Sequence, residues 1–458
     1  MANMALKVIR CVKNPMPNRP IVIRHLFFCM IESMRSLLSW LLKISFLCLS
    51  LLQPLSLLAQ QTISIESRDT VLSADVFAAK GDTLIIWLPP EGGFQPIHAK
   101  TAQRLSSQGI EVWLVDLFEA RFLSPVASSL EQVPASDVTT VLGYALHSGK
   151  KVLLVSSGRG ILPLLRGAHQ WQQYQPTATA FSGVILLSPQ FYTETPEPGQ
   201  AAQLLPIVRN TNLPIFIIQP RLSPWFWKLE HTVPALQQSG SDVFVRILPE
   251  VRDRFHYRPD ATSIEQQQAD KLASLLRQAG SLLTRLPART RPVKQFTEMT
   301  RPTTEGKKEH RLAPYHGSPK PPELILTDVH GKQQDLVDYR GRVVLVNFWA
   351  SWCPPCVYEM PSMQRLADKL DGKSFSILAV NMAETEASIK DFLQTKVNVR
   401  FDILLDKDGA ALKRWGVFAF PTSYIIDKQG KIRYALFGSV EWDSEEMLST
   451  FSRLLQEP

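Results

Sequence analysis

One short string constrains this chain more than any other. Val343–Trp349 reads VVLVNFW, apolar everywhere but Asn347, and runs through Ala350, Ser351 and Trp352 into Cys353-Pro354-Pro355-Cys356. A strand that is apolar on both alternating faces is covered on both sides, the situation of a central strand in a mostly parallel α/β sheet. Pro355 suits a helix N-terminus, where a missing N–H is not needed. The pattern predicts a buried strand, a turn carrying Cys353, and a helix over about 357–370.

Cysteine usage sets the pair apart. The 458 residues contain five cysteines: Cys11, Cys29, Cys48, Cys353 and Cys356. From Met34 the chain has signal-peptide grammar: Arg35 and Lys43 are cationic, 44–52 is a short apolar run, Gln53-Pro54 breaks it, and Ala59 is small enough for cleavage. Residues 1–33 have no place in that grammar and read as an upstream mis-start. The alternative is an uncleaved anchor over 34–59, against which Lys43 and Pro54 argue. Cys48 would suit a lipoprotein, but Leu47 is too large for the usual lipobox. Once 1–59 is removed, only Cys353 and Cys356 remain, with no other thiol to mispair in an oxidising compartment. A long chain with a single Cys-x-x-Cys keeps it for chemistry. A zinc site normally needs four ligands, and the string offers no third cysteine and no histidine after His330, so no metal is expected.

The net charge of +8 invites a polyanion-binding reading, but +6 of it lies in residues 1–59. The remainder is nearly balanced, so a nucleic-acid partner is not expected.

Residues 60–285 alternate apolar runs at 83–88, 111–115, 151–155, 183–187, 214–219 and 242–247 with helical patterns such as 96–107, 135–148 and 262–283. Strand–helix alternation implies a mostly parallel sheet covered on both faces. Residues 286–320 are rich in proline and charge, and read as a flexible linker. A second α/β pattern fills 321–458: strands at 343–349, 374–381, 401–405, 422–426 and 431–436, a hairpin turn at 427–430, and a closing helix over 444–455.

Strand, Trp352, Cys-x-x-Cys and helix, in that order, resemble the TlpA/ResA-type thiol–disulfide oxidoreductases of the thioredoxin superfamily, over about 321–456. The resemblance implies a redox-active disulfide between Cys353 and Cys356. Cys353, exposed at the helix N-terminus, would attack a substrate disulfide as a thiolate, its pKa lowered from about 8.5 toward about 7 or below. Cys356, more buried, would resolve the mixed disulfide. Trp352, Pro354 and Pro355 would support the pair, Pro354 affecting its redox poise. Phe420-Pro421 would be the cis-proline facing it, in a loop able to pair with a bound peptide. Asn347 stands where thioredoxins often carry a buried Asp. Glu359 is then the nearest carboxylate for proton handling, its rival reading being a plain first-turn Glu favoured by the helix dipole. The resemblance also implies protein disulfide substrates, an extracytoplasmic location, a membrane electron donor and no cofactor, with reduction as the expected direction.

Residues 83–122 resemble the opening of an α/β-hydrolase domain: a strand, the loop Glu91-Gly92-Gly93, a helix, and a strand ending in Asp116. The nucleophile elbow would be Gly-x-Ser-x-Gly. Here Ser156-Ser157-Gly158-Arg159-Gly160 puts Gly158 in the nucleophile's place. A shifted register makes Ser157 the candidate, with His256 as base, but Arg159 then sits where a small residue is needed, and no carboxylate follows the strand at 214–219. A serine hydrolase needs nucleophile, base and acid together, so this domain reads as catalytically silent, a binding or positioning module. The rival functions are a redox-inert binding scaffold and a bifunctional protein with a live hydrolase.

Overall fold

The structure is a computed structural model describing residues 61–175, 180–287, 290–295 and 312–458. The leader, with the Met34 start, the Ala59 cleavage place and the anchor reading, lies outside the described residues. Among the described residues no helix is long and apolar enough to cross a membrane.

The first domain is built on one twisted sheet. The hairpin β1 (Gln61–Ser67) and β2 (Thr70–Phe77) leads into β3 (Thr83–Trp87), β4 (Ile110–Asp116), β5 (Lys151–Ser157), β6 (Phe181–Leu187), β7 (Ile215–Leu222) and β8 (Val243–Arg252), in the order β1-β2-β4-β3-β5-β6-β7-β8. β2 is antiparallel to β4, and β4 through β8 are mutually parallel. Helices α1 (Pro96–Ser107), α2 (Ala135–Leu146), α3 (Ile161–Tyr174), α4 (Leu229–Gln238), α5 (Ser263–Asp270) and α6 (Leu272–Leu283) cover it. Period-two alternation decides the layering. Leu84 and Ile86 pack with Val138, Val141 and Leu164 of α2 and α3. Ile85 and Trp87 pack with Ala102, Leu105 and Leu276 of α1 and α6.

The single helix expected over 262–283 is two, broken at Lys271. α5 is held by the Thr262–Glu265 capping box and by Glu265 bonded to the buried Arg252 guanidinium at 2.6 Å. α6 must instead turn Leu272, Leu276, Ala279 and Leu283 onto the sheet. The two anchorages impose different faces, and the bend at Lys271 joins them.

The second sheet runs β11-β10-β14-β13-β12-β15-β16-β9. Its strands are β9 (Ala313–Pro314), β10 (Ile325–Asp328), β11 (Gln333–Asp335), β12 (Val343–Trp349), β13 (Phe375–Met382), β14 (Asp402–Asp406), β15 (Thr422–Ile426) and β16 (Ile432–Phe437). β12 is central, parallel to β13 and antiparallel to β15, and every one of its residues is buried. α7 (Pro354–Lys369) and α10 (Glu445–Gln456) cover one face, and α8 (Glu386–Thr395) and α9 (Ala410–Arg414) complete the domain.

The described parts of the 286–320 segment are held, contrary to the expectation of a flexible linker. Arg291 donates to the Asn212 carbonyl at 2.6 Å, and Asn212 Nδ2 donates to the Pro292 carbonyl at 2.6 Å. At the other end β9 pairs with β16, so the second domain's sheet begins before residue 321. Composition signalled few apolar residues, but backbone pairing and an Arg–carbonyl bond need none.

Gln60–Pro458 forms one compact unit. Phe418 of the second domain is buried edge-on against Tyr192 (centroids 5.0 Å) and Trp225 (5.4 Å) of the first. The Lys228 ammonium lies 4.8 Å from the Phe418 ring centre and donates to the Val417 carbonyl at 3.1 Å. Trp227 Nε1 points at Met382 Sδ at 3.2 Å, and Lys413 pairs with Glu230.

Candidate redox centre

β12 delivers the chain to Cys353, whose extended backbone (φ −100°, ψ 99°) makes it the N-cap of α7. The helix starts at Pro354, earlier than the apolar pattern indicated, because the first helical positions need no N–H and both prolines fit there. Cys353 Sγ accepts from the Cys356 N–H at 3.3 Å, and the two sulfurs are joined in a disulfide of 2.08 Å. The Cys356 N–H and the helix dipole both point at Cys353 Sγ, an environment that favours a thiolate when the bond is reduced. Cys356 is wholly buried. Cys353 is only 6% exposed, which corrects the expectation of an open nucleophile. It packs among Trp349, Ala350 and Met360, with Trp352 and Phe420 against that cluster, and it opens into a cleft between the two domains.

Glu359 is not a first-turn surface carboxylate. It lies on the buried face of α7, 2% exposed, directly beneath the strand that carries Asn347. Asn347 Nδ2 donates to Glu359 Oε1 at 2.8 Å and to Ser423 Oγ at 2.9 Å, and Trp442 Nε1 donates to Glu359 Oε2 at 3.1 Å. Burial pushes the Glu359 carboxyl up to about 8, and the hydrogen bonds from Asn347 and Trp442 oppose that rise only in part. Asn347, which cannot hold a proton, therefore positions a carboxyl that can.

The Phe420–Pro421 peptide bond is cis. Trp352 and Phe420 meet edge-to-face at 5.8 Å, so the distant loop and the Cys-x-x-Cys turn share one wall of the cleft. Glu384, which no sequence signal marked, ties the turn down: it accepts from the Ser351 N–H at 2.7 Å and from Asn381 Nδ2 at 2.8 Å.

The cleft, of about 270 Å³, is lined from the second domain by Trp352, Cys353, Pro354, Ala419 and Phe420, and from the first by Ser157, Trp225, Asp253, His256 and Tyr257, among others. This meeting of the cysteine pair with the first domain's elbow region was not legible in the sequence, because the two lie some two hundred residues apart. At the elbow Gly158 has φ +56°, a left-handed conformation that follows β5 directly. A Cβ there would fall on the Glu91 carboxylate. Glu91 accepts from the Arg159 backbone N–H at 3.0 Å and from Arg254 at 2.8 Å. Ser157 Oγ and both ring nitrogens of His256 are buried without a hydrogen-bond partner. His256 is a loop histidine but not a surface one: it is 6% exposed, stacked edge-on against His98 and Tyr257, and burial holds its pKa well below the usual imidazole range. Asp253 accepts from the Ser223 hydroxyl at 2.9 Å, and burial pushes it up to about 6. Among the described residues no group of three or more His, Cys, Asp or Glu could hold a metal ion.

Residues 318–435 match the model of the AhpC/TSA family, and the thiol–disulfide oxidoreductase ResA of Geobacillus thermodenitrificans is 36% identical over 119 residues, 68% of its length. Through its second domain the chain belongs to the thioredoxin-like AhpC/TSA family. ResA of Bacillus thuringiensis subsp. konkukian is 40% identical over 111 residues, which are 24% of this chain. The chain spans 64% of that relative, just under two thirds of its length. Among solved structures, StoA of Bacillus subtilis is 25% identical over 29% of this chain and 98% of its own, with a TM-score of 0.26.

Proposed function

We propose that the chain is an exported thiol–disulfide oxidoreductase that reduces protein disulfides through Cys353 and Cys356. The observation that carries the reading is the disulfide at the N-terminus of α7, with Cys353 as N-cap and Cys356 wholly buried behind it. In the reduced chain the Cys353 thiolate attacks one sulfur of a substrate disulfide. A mixed disulfide forms and the substrate's other sulfur leaves as a thiolate that takes up a proton. Cys356 then attacks Cys353 Sγ, expels the second substrate thiol, and leaves the Cys353–Cys356 disulfide, so two electrons pass from the dithiol to the substrate. Glu359, neutral below about pH 8, is the buried group able to take or return the Cys356 proton. Trp352, Pro354, Pro355 and the cis-Pro421 loop shape the approach. An external dithiol donor, at the membrane by family resemblance, would re-reduce the pair.

The first domain is read as an α/β-hydrolase relative without hydrolase chemistry. A strand, a sharp turn at Gly158 and a helix match a nucleophile elbow, whose oxyanion hole uses the N–H of the following residue. That N–H, on Arg159, is already taken by Glu91, and Ser157 makes no hydrogen bond to His256.

The test is turnover of a model disulfide by wild type and Cys353→Ser, with the potential of the couple measured against glutathione. Loss of turnover in the variant is expected; equal rates would remove the reading. A potential near about −270 mV marks a reductant, and one near about −120 mV an oxidant.

A further inference from the structure

The cleft holds a second feature that the disulfide chemistry does not use. Ser157 and His256 of the first domain line the same cleft as Cys353. Both side chains are more than nine-tenths buried, and Ser157 Oγ, His256 Nδ1 and His256 Nε2 all lack partners. Orphaned buried polar atoms cost stability, and three of them on two residues that line one cleft mark a place built for something that supplies hydrogen bonds. With hydrolysis set aside, they have no task inside the first domain.

The groups themselves say what fits. A neutral imidazole offers one N–H donor and one acceptor nitrogen, and a hydroxyl offers either. A peptide group presents the complementary N–H and C=O. The charged side chains on the same walls already have partners in the protein, Arg254 with Glu91, Arg252 with Glu265 and Arg258 with Asp260, so the unpartnered groups left to a ligand are neutral and an uncharged amide is the better match. The cleft's volume of about 270 Å³ and the 6% exposure of Cys353 admit a thin segment rather than a folded surface.

We propose that Ser157 and His256 form a subsite for a main-chain amide next to the disulfide of an extended peptide substrate, so that the vestigial hydrolase domain selects what Cys353 reduces. The proposal rests on the oxidoreductase reading above and adds the substrate's form to it.

The experiment uses the full chain, reduced with dithiothreitol and desalted, and two disulfides: a short end-blocked peptide disulfide and cystamine, which has no amide. Stopped-flow second-order rate constants are compared for wild type, Ser157→Ala and His256→Phe. The peptide-to-cystamine ratio should fall about tenfold in each variant, the loss expected for one hydrogen bond. An unchanged ratio, or equal loss on both substrates, overturns the subsite. Because His256 is buried, a second measurement does not depend on turnover. A cysteine-free end-blocked peptide is titrated into the oxidised wild-type chain and the oxidised Ser157→Ala chain, read by the change in tryptophan fluorescence, Trp225 and Trp352 being the tryptophans that line the cleft. N-methylation of its amides should weaken binding to wild type about tenfold more than binding to Ser157→Ala, and an equal effect on both proteins overturns the subsite. If wild type fails to reduce even cystamine, the oxidoreductase reading fails, and the fluorescence titration still decides the subsite.

Discussion

Replacing Glu359 with glutamine keeps the shape of a buried side chain and removes its charge. In the folded chain the carboxyl ionises at about 8, against 4.5 when unperturbed, and burial is the cause. The folded state therefore holds a proton that the unfolded state has lost between those pH values. Stability that is fully present below pH 4.5 is lost as pH rises to about 8, at about 1.4 kcal/mol per pH unit, or roughly 5 kcal/mol in all. Glutamine has no such loss, but its amide nitrogen is a donor only, so Oε1 can serve just one of Asn347 Nδ2 and Trp442 Nε1, and the stranded donor costs about 1–3 kcal/mol. Glu359→Gln should thus be less stable than wild type near pH 4.5, cross it near about pH 6, and be more stable by about 3 kcal/mol above pH 8. Guanidinium unfolding of both oxidised proteins across this range checks it, since groups common to both cancel in the difference. A difference that stays constant with pH would refute the buried neutral carboxyl and, with it, a proton-handling role.

Gly158→Ser should give no esterase activity and should lower the melting temperature, because the new side chain meets the Glu91 carboxylate and a serine is strained at φ +56°. An ester screen beside a thermal melt reads both. Phe418→Ala should cost about 3–5 kcal/mol by removing a ring packed against Tyr192 and Trp225. Loosening that contact should also speed alkylation of reduced Cys353 by bulky maleimides more than by iodoacetamide; equal acceleration would show that the domain contact does not limit access.

What the sequence determined by itself is local. The run Val343–Trp349 and the strand Thr422–Ile426 emerged with the bounds their patterns indicated, and so did helix Pro96–Ser107, because hydrophobic period and chain stiffness act over a few residues. The Cys353–Cys356 pair was legible for the same reason: three residues of spacing and two prolines already prescribe a helix N-terminus. The amphipathic hairpin β1–β2 was missed although its alternation is regular, Ile63 and Ile65 on one strand and Leu72, Ala74 and Val76 on the other, because its few apolar residues form no continuous run, and only pairing with β4 makes it a sheet edge. Tertiary structure alone decided the rest. Glu359 became a buried group of raised pKa because Asn347 and Trp442, 12 and 83 residues away, close over it. Cys353 lost its exposure because Trp349, Ala350 and Met360 pack around it, and it gained Ser157 and His256 as neighbours in one cleft where the two domains meet, the first holding Phe418 against Tyr192 and Trp225. Burial and electrostatic environment depend on which distant surfaces meet, and no local pattern in a single sequence encodes that meeting.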